Sequence, residues 1–168
     1  MDPSRRSFLR GRPERGTQAV RPPWSLPEAR FTQRCTRCGD CIQRCETGVL
    51  QKGDGGFPEI RFAAGGCSFC GECVEACKPG ALHITPGAKP WLFKASIGIS
   101  CLTRQKVVCR TCGEHCERGA IRFRLERGGI ATPQVDPASC NGCGMCVADC
   151  PSHAITLHSA EKFEEALA

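Results

Sequence analysis

The chain has 168 residues, 16 of them cysteine, with no tyrosine and only 6% aromatic side chains, so conventional core material is thin and a bound group must supply part of the folding energy. Its formal charge is +6, of which +5 falls within residues 1–34, leaving the rest of the chain at +1. No run approaches the roughly 18 consecutive apolar residues of a spanning helix. The best stretch, residues 91–99, is short and contains Lys94, which excludes a helical membrane span.

In chain order, the first element is a basic arm over residues 1–30. It opens on Ser4-Arg5-Arg6-Ser7-Phe8-Leu9-Arg10, which looks like a twin-arginine export motif. An export signal also needs an apolar segment of about 7–15 residues. Here Gly11-Arg12-Pro13-Glu14-Arg15-Gly16 and then Arg21-Pro22-Pro23-Trp24 follow instead. The expectation is an arm that does not direct export, on a protein that stays in the cytoplasm. The arm is either solvated or docks an acidic partner or an export-related component. Nucleic-acid binding is disfavoured, because no aromatic residues interleave with the arginines.

Four cysteine groups follow. The first is Cys35-x2-Cys38-x2-Cys41-x3-Cys45, the second Cys67-x2-Cys70-x2-Cys73-x3-Cys77, and the fourth Cys140-x2-Cys143-x2-Cys146-x3-Cys150. The third departs from this pattern as Cys101-x7-Cys109-x2-Cys112-x3-Cys116. An apolar pair stands four and five residues after each last cysteine: Val49-Leu50, Ala81-Leu82, Ala120-Ile121 and Ala154-Ile155. Gly48, Gly80 and Gly119 precede the first three pairs, and His153 the last. Each unit therefore reads as cysteine loop, tight turn and short strand, repeated four times. Strands are predicted over 57–62, 81–85, 120–125, 134–136 and 154–157. Short helices are predicted after the third cysteine of a group, at Val74-Glu75-Ala76 and Val147-Ala148-Asp149, and a terminal helix over 159–168.

The spacing carries the chemistry. A C-x2-C-x2-C loop wraps three thiolates round one cubane, and the cysteine after x3 reaches the other cluster of a pair. The predicted [4Fe–4S] ligand sets are therefore crossed. Cys35, Cys38, Cys41 and Cys77 form site 1, and Cys67, Cys70, Cys73 and Cys45 form site 2. Cys101, Cys109, Cys112 and Cys150 form site 3, and Cys140, Cys143, Cys146 and Cys116 form site 4. Three intact groups imply at least three clusters, and the stretched third group makes four. Each oxidised cubane with its thiolates carries about −2, so four add about −8 and leave an anionic body behind a cationic arm. Glu46 and Glu117 stand where proline often follows the last cysteine, and their charge would lower the potential. Disulfides are disfavoured without an export signal, and zinc because this run is not a pair of knuckles.

Other residues carry less. His115 lies inside the third group, which already has four cysteines, and His83, His153 and His158 read as surface or packing residues. Gly53-Asp54-Gly55-Gly56 is a turn without the Lys-Ser/Thr of a phosphate loop. Trp24 and Trp91 read as packing anchors. With no nucleophile–base pair and no paired carboxylates, the chain is not expected to be an enzyme.

The Arg5-Arg6 start, Arg21-Pro22-Pro23-Trp24, Cys45-Glu46, Cys101-x7-Cys109 and Cys140-Asn141-Gly142-Cys143-Gly144-Met145-Cys146 together resemble the NapF family, bacterial ferredoxin-type accessory proteins of the periplasmic nitrate reductase system. The resemblance implies a cytoplasmic partner of the immature catalytic subunit of that reductase, assisting assembly of its iron–sulfur cluster before export. The alternatives are a ferredoxin-type electron carrier in nitrate respiration, or a structural module of a larger complex. The expected fold is α+β: tandem bacterial-type ferredoxin-like modules over 31–88 and 89–158, two clusters in each, with the clusters as core.

Overall fold

The computed structural model describes residues 19–126 and 129–159. The Arg5-Arg6 motif and most of the helix expected over 159–168 lie outside the described residues; Ser159 ends a strand.

The first half is built on helix α1 (Glu28–Arg34), helix α2 (Asp40–Gln43), strand β1 (Leu50–Lys52), strand β2 (Pro58–Ile60) and helix α3 (Glu72–Glu75). β1 and β2 pair antiparallel with Leu50 opposite Ile60 and Lys52 opposite Pro58. A two-stranded ribbon has only edges, so Pro58 removes no ladder bond that another strand needs. The turn joining them is the predicted one, a 3-10 turn over Asp54–Gly56. Phe31, Val49, Leu50, Ile60, Ala81 and Leu82 are buried here, with Cys41 and Cys73 among them.

The second half contains strand β3 (Phe93–Ile97), helix α4 (Thr111–Glu114), strands β4 (Ile121–Leu125) and β5 (Ala131–Val135), helix α5 (Met145–Ala148) and strand β6 (Ile155–Ser159). β4 and β5 form a hairpin with Ile121 opposite Val135. β3 and β6, the first and last strands, close the unit antiparallel with Ile97 opposite Ile155. Ala95, Ile121, Ala154 and Ile155 are buried with Cys101, Cys146 and Cys150. The first half repeats this plan with its outer pair reduced to one bridge, Ser25 to Leu82. Pro22, Pro23 and Pro27 surround Ser25 and cannot donate to a longer ladder.

Several expectations are corrected. Residues 81–85 form that single bridge rather than a strand. The four short helices each contain the third cysteine of their group instead of following it. β3 was not predicted. The arm expected over 1–30 ends early, because α1 crosses residue 30 and the residues just before it are packed. The Ile60 amide donates to the Val20 carbonyl at 2.7 Å, Pro23 is fully buried, and the Trp24 amide donates to the Pro90 carbonyl at 2.8 Å.

Candidate iron–sulfur sites

The cysteine loops are set by backbone conformations that the sequence encodes. In groups one, two and four the residue after the second cysteine is Gly39, Gly71 or Gly144, at φ of +88°, +88° and +84°, and each caps the following helix. Glycine tolerates this left-handed turn, which swings the third cysteine back toward the first two. In the third group the equivalent Arg110 has φ −130°, so its loop follows another path. The repeat continues past the last cysteine: Gly48, Gly80 and Gly119 sit at φ +65°, +68° and +58°, and His153 takes the same conformation at +48°.

These turns gather the cysteines round four partly enclosed hollows with mainly apolar walls. Cys35, Cys38, Cys41 and Cys77 line one, beside Phe31 and Leu82. Cys45, Cys67, Cys70 and Cys73 line the second, beside Val49 and Phe69. Cys101, Cys109, Cys112 and Cys150 line the third, beside Ile97 and Pro133. Cys116, Cys140, Cys143 and Cys146 line the fourth, beside Ala95 and Leu157. Each hollow thus takes three cysteines from one group and the last cysteine of its companion group. The sulfurs ring a space rather than a point: among the described residues no three His, Cys, Asp or Glu side chains converge tightly enough for a single metal ion.

Hydrogen-bond donors point at the sulfurs. The amides of Leu82, Ala120 and Ala154 donate to Cys77, Cys116 and Cys150 at 3.4, 3.3 and 3.3 Å, and that of Phe69 to Cys67 at 3.4 Å. A hydroxyl two residues on repeats this near four cysteines: Thr47 by Cys45, Thr103 by Cys101, Thr111 by Cys109 and Ser152 by Cys150. Burial pushes the thiols of Cys73 and Cys146 up to about 12, and those of Cys41, Cys67 and Cys112 to about 11, with neighbouring sulfurs adding to the rise. At Cys150 burial acts the same way, but the Ala154 amide and the Ser152 hydroxyl outweigh it and hold the thiol below its ordinary value. A metal entering these hollows must therefore displace protons.

The stretched third group is not a loose loop. Residues 101–107 form consecutive turns, in which the Gln105 amide donates to the Cys101 carbonyl and that of Val107 to the Leu102 carbonyl. Thr103 is buried, with Oγ1 3.0 Å from Cys101 Sγ. Neither the x7 gap nor composition pointed to this hydroxyl. The Ser/Thr recurring two residues after a cysteine was the available signal.

Of the remaining sequence candidates, Trp24 lines the second hollow and the histidines line none of the four. His115 pairs with Asp149 at 2.9 Å, exposed, His158 meets the Thr156 hydroxyl, and the His83 amide bonds the Trp24 carbonyl. Trp24 and Trp91 are packing residues as expected: Trp24 stacks edge-on to Phe69, and Trp91 meets Phe62, Phe69 and Phe93. Among the described residues no helix is long and apolar enough to cross a membrane.

Comparison with known proteins agrees with this geometry. The 4Fe-4S dicluster domain model matches residues 34–81 and again 107–154, the second match including every cysteine of its half but Cys101. The chain is 47% identical over 170 residues to the ferredoxin-type protein NapF of Haemophilus influenzae, covering 95% of this chain and 96% of that protein. The chain belongs to the NapF family of ferredoxin-type proteins. NapF of Escherichia coli K12 is 45% identical over 93% of this chain and 94% of its own length. A methylamine utilization ferredoxin-type protein, MauM of Methylophilus methylotrophus, is 30% identical over 86% of this chain and 72% of its own. Like its NapF relatives, the chain is a ferredoxin-type iron–sulfur protein, with two tandem [4Fe–4S] dicluster domains of mixed helix and strand.

Proposed function

We propose that this NapF-family chain holds four [4Fe–4S] clusters on the crossed ligand sets and assists, in the cytoplasm, maturation of the catalytic subunit of the periplasmic nitrate reductase before its export. The observation that carries the reading is similarity to NapF proteins over nearly the whole of both chains. Two modules near 31–88 and 89–158 bear the sites, with residues 19–30 joined to the first. The protein acts by presenting clusters to a partner and transforms no substrate of its own.

When bound, the clusters supply one-electron chemistry and, for a maturing partner, iron and sulfide as cargo. The residues of this chain do the rest. Four thiolates per site fix the site against the fold, apolar walls such as Phe31, Val49 and Ile97 limit water, and amides and hydroxyls directed at the sulfurs stabilise their charge. The thiols of Cys38 and Cys70 are exposed, which leaves an edge of sites 1 and 2 open to a partner. The Arg-rich arm gives a cationic handle on a body that four clusters make anionic.

The test is anaerobic. The protein is loaded with labelled iron, mixed with cluster-free reductase catalytic subunit and separated from it, and label is counted on each. Label moving to the reductase faster than free iron and sulfide supply it is the expected result. Retention of all label, with every cluster stable and reducible, would remove maturation and leave electron carriage alone.

A further inference from the structure

Within each half, the crossed cysteines place two sites side by side. Site 2 takes Cys45 from the group that builds site 1, and site 4 takes Cys116 from the group that builds site 3. The two halves meet through sites 2 and 4. The Cys67 amide donates to the Cys143 carbonyl at 2.7 Å, one ligand residue of each site bonded to the other.

The contact is close on both sides of that bond. A Cβ on Gly66 would lie 2.3 Å from Met145 Sδ and 2.7 Å from the Met145 amide nitrogen, and one on Gly144 would lie 2.0 Å from Phe62 Cδ1. No side chain fits between the loops. Trp91 locks them together, with its ring 5.3 Å from that of Phe69, in the wall of site 2, and its Nε1 donating at 3.1 Å to the carbonyl of Asn141, in the wall of site 4. None of the residues lining sites 1 and 3 takes part in these contacts.

We propose that the four sites form one line in the order 1–2–4–3, joined where the Cys67 loop meets the Cys143 loop, so that the chain is a single electron relay with sites 1 and 3 as its ends. The proposal rests on the ligand sets assigned above. A one-electron protein donor gives an electron to one end and a one-electron acceptor takes it at the other, with no bond made or broken and no proton moved. The stretched third group then stands at an end of the relay, where altering its loop changes contact with a partner without disturbing the joint.

The test removes the ends. Cys38→Ala and Cys109→Ala in one chain delete a ligand each from sites 1 and 3, leaving cubanes on sites 2 and 4 alone and at most a three-iron cluster, integer-spin when reduced, on each end site, about eight to fourteen irons in all. After reduction with dithionite, pulsed electron paramagnetic resonance reads dipolar coupling between the two remaining spins. Coupling with about eight to fourteen irons is expected. Such an iron content without coupling would overturn the joint, and four intact cubanes, about sixteen irons, would overturn the ligand sets beneath it. Because the double variant can lose its fold, Gly66→Val in the otherwise native chain is the second arm. It is expected to keep its iron and the coupling within each half while losing coupling across the joint, and an unchanged spectrum would overturn the proposal.

Discussion

The indole Nε1 of Trp91 donates to the carbonyl of Asn141, 50 residues away, while its ring packs edge-on against Phe62, Phe69 and Phe93. One side chain thus belongs to the packing of the first half and to a cysteine loop of the second. Removing a large buried aromatic side chain costs about 3–5 kcal/mol. Trp91 is only partly buried, so Trp91→Ala should cost about 2–3 kcal/mol. A cleavage site should open near residue 91 in limited proteolysis of the holo-protein. Phe at this position should restore most of the packing but not the bond to Asn141.

Arg21 is a second anchor. It forks onto Glu28 at 2.9 and 2.7 Å and lies over the rings of Phe31 and Phe57 at 5.1 and 5.3 Å. Arg21→Ala should lower stability by about 1–3 kcal/mol, through lost stem packing, cation–π contact and charged hydrogen bonds. The hydrogen bonds from Arg21 hold Glu28 below the ordinary carboxylate range. A depressed carboxylate contributes stability that is present above its unfolded pKa and lost as pH falls through its folded value. Denaturation midpoints measured downward from neutral pH should therefore fall less steeply below about pH 4.5 in Arg21→Ala than in the native chain. Because Glu28 is half exposed, the difference should be small.

Iron removal should unfold the body. The buried side chains form two small sets, each interleaved with cysteines, and hollows emptied of metal leave apolar walls without partners. Anaerobic chelation should abolish near-UV circular dichroism and protease resistance together. An apo-protein that kept both would contradict this.

Thr103→Val tests the third site with little change in shape. It removes the buried hydroxyl beside Cys101 Sγ. Losing a hydrogen bond to a cluster thiolate should move that site's potential negative and speed its loss of iron. Redox titration and chelator kinetics read these separately, and the other sites serve as internal controls.

The His153 position shows how the repeat constrains backbone. It holds at φ +48° a turn that glycine holds in the three sister units. A non-glycine residue in this region costs about 1–2 kcal/mol, partly offset by the entropy glycine loses on folding. His153→Gly should therefore slow unfolding of the holo-protein in guanidinium by an amount equivalent to about 0.5–1 kcal/mol. Gly80→Ala should speed it.

The gathering of the cysteines was legible in the sequence because metal ligation ties spacing directly to geometry: x2 and x3 gaps dictate which sulfurs can converge. Elements without such a rule were harder to read. β3 has Lys94 and Ser96 among its five residues, and its partner β6 lies some 60 residues on, so neither pattern nor neighbourhood marked it. The packed stretch before α1 reads as polar, basic and proline-rich, yet Arg21 and Pro23 are held by Glu28 and the first core through contacts that composition does not report. The strand expected at 81–85 failed for a local reason that the sequence did contain: its partner Ser25 is hemmed in by prolines. The short helices at Glu72 and Met145 begin two residues earlier than predicted because the left-handed glycine, not the cysteine, sets where each begins.

On the proposed reading all four hollows, the stretched one included, hold a [4Fe–4S] cluster. The most direct test is the iron and acid-labile sulfide content of anaerobically purified protein, with Mössbauer spectra to identify the cluster type. About sixteen irons and sixteen sulfides per chain, all in cubane environments, is the predicted result. About twelve of each would leave the third group without a cluster, and zinc in place of iron would contradict the account at every site.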